Sequence, residues 1–360
     1  EIANSCPEKL KNSIGNKSLS ESENIRRSVN VNKIYVEKKE KKEKKVKISF
    51  ITNNKKEILN MILLKDGNFA TSSFDSSAKI FDSKTFEVLL VIEEPEENDV
   101  YYISQLNDLS LLMCSKKIYK YHLYENDTKY SLECVISGYN DYIIKVIELK
   151  NSAIITCDLE YKVKILEIKK KHNTRKIVYK LVKSNLNIGE HLCSIQRIND
   201  LEFIASSNSH LEKGKDVLRF FDSEYHNNES IYNISCSELV DSLCQINKQY
   251  LCVGLQRWNE DQLKGIAIVD LIKKQIVKNI LSDAMTCVYR INDEYFITGG
   301  RHSKKQCIMR KWKITKDAQI SQTYDVCTEQ SDAITSIIVL SKKNVTLISN
   351  YDSTIAVINE

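Results

Sequence analysis

The chain has 360 residues and a mild formal charge of +5, with 53 Lys and Arg set against 48 Asp and Glu. A hydrophobic fraction of 42% suffices for one large core or two ordinary ones, and no apolar run approaches twenty residues, which excludes a membrane-spanning helix. The 11 cysteines include no CxxC, and Cys114, Cys157, Cys193, Cys244, Cys252 and Cys287 sit inside apolar runs, so they read as reduced core thiols of an intracellular, cytoplasmic or nuclear protein.

The chain begins at Glu1 rather than Met and is expected to be part of a longer, multidomain protein. Residues 1–43 are rich in Ser, Asn, Lys and Glu and read as a disordered segment or linker. The lysine run "VEKKEKKEKKVK", Val36 to Lys47, is interrupted by glutamates that cut its field, so it reads as solvated.

From residue 44 to 360 the pattern changes to alternating apolar runs separated by polar turns, and Val, Ile, Leu and Tyr favour strands. Seven hairpins follow in order. They begin "EILNMILLKDGNFATSS" at Glu57, "VYYISQLNDLSLLMCS" at Val100, "YIIKVIELKNSAIITCD" at Tyr142 and "HLCSIQRINDLEFIASS" at His191. "DSLCQINKQYLCVG" at Asp241, "MTCVYRINDEYFITGG" at Met285 and "AITSIIVLSKKNVTLISN" at Ala333 complete the set. Each Asn-Asp or similar pair supplies the tight reversal.

Every hairpin precedes a third apolar run, from "AKIFD" (78–82) to "TIAVIN" (354–359), and equivalent residues stand 40 to 55 positions apart. Six units add a fourth run, such as "FEVLLVI" (86–92) and "QISQTYDVC" (319–327). The seventh lacks one, while "KVKISFIT", Lys45 to Thr52, is an orphan strand at the other end. An open ring would leave unpaired edges. The pattern therefore predicts an all-β, seven-bladed β-propeller of four-stranded antiparallel blades, with the N-terminal strand completing the last blade.

The phrase "TSSFDSSAKIFD", Thr71 to Asp82, resembles the repeat of the WD-repeat propellers, with Asp75 at the turn and Phe81-Asp82 where that family places Trp-Asp. "ITCDLEYKVKILE" with Asp158 and "ISNYDSTIAVIN" with Asp352 are similar. Only the sixth unit has the tryptophan, Trp312, and the Gly-His pair is absent. The family's Asp–His–Ser/Thr–Trp relay is therefore not expected in full in any blade. What the resemblance implies is a non-catalytic scaffold or adaptor that binds protein or peptide partners.

Catalytic signatures are lacking. His122, His172, His191, His210, His226 and His302 form no metal-spaced pair, and there is no phosphate-binding glycine loop or nucleophile elbow. No catalytic residue, metal ligand or cofactor is assigned. Asp75, Asp158 and Asp352 recur at matching turns and are expected to cap them.

The loops between second and third strands are short in the first, third and seventh units and long in the fourth, fifth and sixth. Equivalent loops of successive blades emerge side by side, so these three are expected to form one raised ridge. It would carry Lys213, Lys215, Arg257, Trp258, Lys264, Arg301, His302, Lys304 and Lys305. Trp beside Arg is favoured at binding hot spots. A solvated ridge with Trp258 folded back is the bland alternative. A second functional reading is an anion-binding propeller gripping nucleic acid, phosphoinositide or an acidic peptide through these bases. The paired-Arg phrase of the phosphoinositide-binding propellers is absent, "LRFFD" being the nearest.

Overall fold

The computed structural model describes residues 47–124, 129–149, 152–160, 162–170, 177–184, 191–199, 202–208, 216–222, 232–236, 239–256, 265–303, 306–328 and 333–359. The expected N-terminal linker lies outside them.

The first strand, β1 (Lys47–Ile51), stands apart in sequence from the sheet it joins. Blade 1 is β2 (Ile58–Leu63), β3 (Phe69–Ser73), β4 (Ser77–Phe81) and β5 (Val88–Glu93). Blade 2 is β6 (Tyr102–Gln105), β7 (Leu111–Cys114), β8 (Ile118–Leu123) and β9 (Tyr130–Ile136). Blade 3 is β10 (Ile143–Glu148), β11 (Ile154–Asp158), β12 (Val163–Lys170) and β13 (Ile177–Ser184). Blade 4 comprises β14 (His191–Arg197), β15 (Glu202–Asn208), β16 (Asp216–Asp222) and β17 (Tyr232–Cys236). Blade 5 comprises β18 (Leu239–Gln245), β19 (Tyr250–Gln256), β20 (Gly265–Asp270) and β21 (Gln275–Leu281). Blade 6 comprises β22 (Ala284–Arg290), β23 (Tyr295–Ser303), β24 (Gln306–Ile314) and β25 (Ile320–Thr328). Blade 7 has β26 (Ile334–Leu340), β27 (Val345–Asn350) and β28 (Ile355–Asn359), with β1 as its outer strand.

All pairings are antiparallel between neighbours, and β1 runs against β28 from Lys47 opposite Asn359 to Ile51 opposite Ile355. The innermost strands β2, β6, β10, β14, β18, β22 and β26 touch in succession, and β26 touches β2. The expected ring of seven blades is therefore closed, by the expected strand.

The turns explain the repeated "IND" phrase. Asn292 Oδ1 accepts the backbone N–H groups of Glu294 and Tyr295 at 3.0 and 2.9 Å. Asn247 does the same for Gln249 and Tyr250, both at 2.9 Å, and Asn199 accepts from Glu202 at 2.8 Å. Each asparagine satisfies the reversal between the first and second strands of blades 4, 5 and 6 with its own side chain.

Apolar residues fill the seams between blades. Ala70, Ile80 and Ile92 of blade 1 pack on Ile103, Leu111 and Met113 of blade 2. Ile51 and Ile338 of blade 7 pack with Ile58 and Phe69 of blade 1 across the closure. Each sheet thus buries both faces, one on each neighbour, which is why the central strands β3, β4, β11 and β27 are buried at every residue.

Gly299, in the phrase "ITGG", is set by such a seam. A Cβ there would stand 2.7 Å from Ile337 Cδ1 and 2.8 Å from Cys287 Sγ. Gly299→Ala is expected to lower stability by about 1–3 kcal/mol through overpacking between blades 6 and 7. Urea unfolding of the variant checks this, and an unchanged midpoint would refute it.

Candidate partner-binding face

The interior polar bonds show how the blades hold their connections. In blade 6, Trp312 Nε1 donates to Thr298 Oγ1 at 2.8 Å, so the hydroxyl–indole end of the relay is present. Blades 1, 2 and 3 have other bonds instead. Ser115 donates to Glu94 at 2.9 Å in blade 2, and the Tyr139 hydroxyl shares a 2.9 Å bond with Thr156 in blade 3. In blade 1, the Lys79 ammonium pairs with Asp75 and donates to Asn54 at 3.1 Å. These bonds satisfy buried polar groups with different chemistry in blades 1, 2, 3 and 6.

The three recurrent aspartates divide accordingly. Asp352 accepts from the Thr354 N–H at 3.1 Å and Asp158 from the Lys162 N–H at 2.9 Å, as turn caps. Asp75 instead takes the Lys79 ammonium and the Lys55 N–H, because Ser73 Oγ accepts the N–H of its own turn at 3.1 Å. Burial raises the Asp75 carboxyl, but the bonds from Lys79, Ser77 and Lys55 together hold it below its usual value.

Turns between the second and third strands share one face with the connections that enter each next blade. Backbone bonds staple them. Phe74 N–H donates to Glu57 O at 3.1 Å, Ile143 N–H to Ser115 O at 2.8 Å, and Leu159 N–H to Tyr142 O at 2.9 Å. On this framework three aromatic rings stand in series. Phe74 in the β3–β4 turn meets Tyr101 edge-on, centroids 5.3 Å apart and planes at 71°. Tyr101, just before β6, meets Tyr142, just before β10, at 4.6 Å and 32°. The Lys116 ammonium lies 5.1 Å over the Tyr142 ring. Tyr351, in the β27–β28 turn, is 41% exposed.

Acidic groups border the series. Burial chiefly, then Asp99, Tyr142, Asp141 and Tyr351, push the Tyr101 hydroxyl up to about 12. Burial also raises the Asp99 carboxyl, with Lys56 opposing and Glu57 reinforcing. Asp141 is engaged locally, accepting the Tyr142 N–H at 2.8 Å.

Of the ridge expected from the sequence, Arg301 and His302 lie near the end of β23 on this same face, and Arg301 is exposed. Lys213, Lys215, Arg257, Trp258, Lys264, Lys304 and Lys305 lie outside the described residues. The strand ends that flank them, Asn208 and Asp216, Gln256 and Gly265, and Ser303 and Gln306, stand at this face. The aromatic series was not anticipated. Its one trace in the sequence is an Asn-Asp pair before each tyrosine, in "ENDVYYIS" and "YNDYIIKV".

Among the described residues, Cys114, Cys134, Cys157, Cys244, Cys252, Cys287, Cys307 and Cys327 are not joined in disulfides. No group of three His, Cys, Asp or Glu side chains among them is placed to hold a metal. No described helix is long and apolar enough to cross a membrane.

No protein-family model and no curated protein matches the chain. Solved structures do. The WD40 β-propeller domain of Doa1 superposes with a TM-score of 0.63 at 11% identity, covering 87% of this chain and 95% of that one. The WD40 repeats of RRP9 give 0.63 at 13% identity, covering 87% and 97%. U3-55K gives 0.65 at 13% identity, covering 87% and 98%. The likeness is one of fold, and the chain is a WD-repeat-like seven-bladed β-propeller.

Proposed function

We propose that the chain is a non-catalytic protein-interaction platform whose partners dock on the face bearing Phe74, Tyr101, Tyr142 and Tyr351. The observation that carries this reading is the aromatic series itself, fixed on a closed ring and reaching the exposed Tyr351. Aromatic side chains supply large contact area, and rings already held in place lose little freedom on binding. The fold supports the reading by analogy only. Arg257, Trp258 and Arg301 are a second proposed anchor.

Quantified pull-down tests it, with the intact chain, a Phe74→Ala/Tyr351→Ala variant and a Trp258→Ala/Arg301→Ala variant. Loss of a hot spot costs at least about 2 kcal/mol, more than tenfold in affinity. Specific partners are expected to drop out with either pair. Equal recovery from all three would remove the proposed face. Salt adds a second check. Binding through aromatic anchors persists between about 50 and 200 mM, whereas phosphate binding falls steeply. A steep loss would favour the anion-binding reading of the basic loop ridge over docking on the aromatic face.

A further inference from the structure

We propose that Asp99 and the rings of Tyr101 and Tyr142 form a receptor for one basic side chain, arginine or lysine, of a bound polypeptide. This deepens the interaction reading above and rests on it.

The first observation is Asp99. Its carboxylate is partly buried and has no hydrogen bond or ion pair among the described residues. Several other carboxylates on this face are engaged. Asp75 takes Lys79, Glu94 takes Ser115 and two backbone N–H groups, and Glu160 takes Lys162. A partly desolvated carboxylate with no hydrogen bond or close ion pair is costly, and a bound cation lowers that cost.

The second observation is the ring pair. Aromatic faces carry negative charge and attract cations within about 6 Å. The chain supplies its own example, because the Lys116 ammonium already lies over Tyr142. Phe74 meets Tyr101 edge-on, so that ring is held before any ligand arrives. Both tyrosines lie within electrostatic range of Asp99 and Asp141.

Together these features select by charge. A cation gains ring attraction and donates a charge-assisted hydrogen bond to Asp99. A neutral side chain gains neither, and an anion meets Asp99, Asp141 and Glu57. Lys56 and Lys116 are the nearby bases, and both hang on exposed positions from which they can swing aside.

The test uses the full chain labelled with 3-fluorotyrosine, whose Tyr101 and Tyr142 signals are assigned by Tyr101→Phe and Tyr142→Phe. N-acetyl-arginine methylamide is titrated, with N-acetyl-citrulline methylamide as the neutral isostere. The expected result is a saturable shift of both signals with arginine, and at least tenfold weaker response to citrulline. Asp99→Asn is expected to weaken the arginine response at least threefold, with a thermal midpoint equal to or above that of the parent. Equal response to citrulline, no response to arginine, or an unaffected Asp99→Asn would each overturn the proposal. So would an Asp99→Asn variant that unfolds early, since Asp99 would then be a structural group. Partner loss in Phe74→Ala/Tyr351→Ala without an arginine response would remove this inference and leave the platform reading standing. An arginine response with undiminished partner recovery would remove the platform reading and leave a cation site.

Discussion

Deleting residues 1–51 is expected to destroy cooperative folding of the ring. The deletion removes β1, which pairs with β28 over five registered positions. Each lost hydrogen bond costs about 0.5–1.5 kcal/mol net, and losing the buried Ile51 side chain costs about 1.5–3 kcal/mol more. Whole-domain stability is only about 5–15 kcal/mol, so these losses consume much of it. They also bare the β28 edge, an invitation to aggregate. Calorimetry and size-exclusion chromatography are expected to show a broadened, early transition and higher-order species. A milder variant separates closure from simple loss of chain. Ile51→Ala leaves the strand in place and is expected to cost about 2–5 kcal/mol while keeping a single sharp transition. A truncated chain that stays monomeric with an unchanged midpoint would show that closure by β1 is dispensable.

The second large effect is expected at Trp312. Its side chain is 1% exposed, stacks on Phe296 with centroids 6.3 Å apart and bonds to the buried Thr298. Trp312→Ala is expected to cost about 3–5 kcal/mol by leaving a cavity between blades 5 and 6. Trp312→Phe keeps much of the volume and the stack but strips Thr298 of its donor, for about 1–3 kcal/mol. Urea midpoints of the two variants separate packing from hydrogen bonding. If both lose the same amount, the indole bond outweighs the volume and the packing account fails.

The architecture was legible because it repeats. A turn asparagine such as Asn292 acts within four residues of itself, and a strand pair reads as alternation. The orphan strand could be assigned to blade 7 because every other strand already had a unit. The relay chemistry was legible only where its residues kept the family pattern, at Trp312. Glu94 and Ser115, or Tyr139 and Thr156, reach the same kind of buried bond from residues that no common pattern links. That difference accounts for a fold shared with WD40 domains at 11–13% identity while no family model matches. The aromatic face was hidden for another reason. Phe74, Tyr101 and Tyr142 come from three different blades, and only the closing of the ring sets them side by side. The loop ridge was legible as unusual length and charge, properties that identify a long loop without arranging it.

The pairing of Lys47 with Asn359 also sets a timetable. Synthesis runs at about 5–20 residues per second, so roughly 15–60 s separate the emergence of β1 from that of its partner. Throughout that interval β1 has nowhere to dock, and six sheets can assemble before it does. The nascent chain must therefore keep an apolar strand out of trouble until β28 has been made. In a cell, shielding by the ribosome surface or a chaperone would matter most for this one segment.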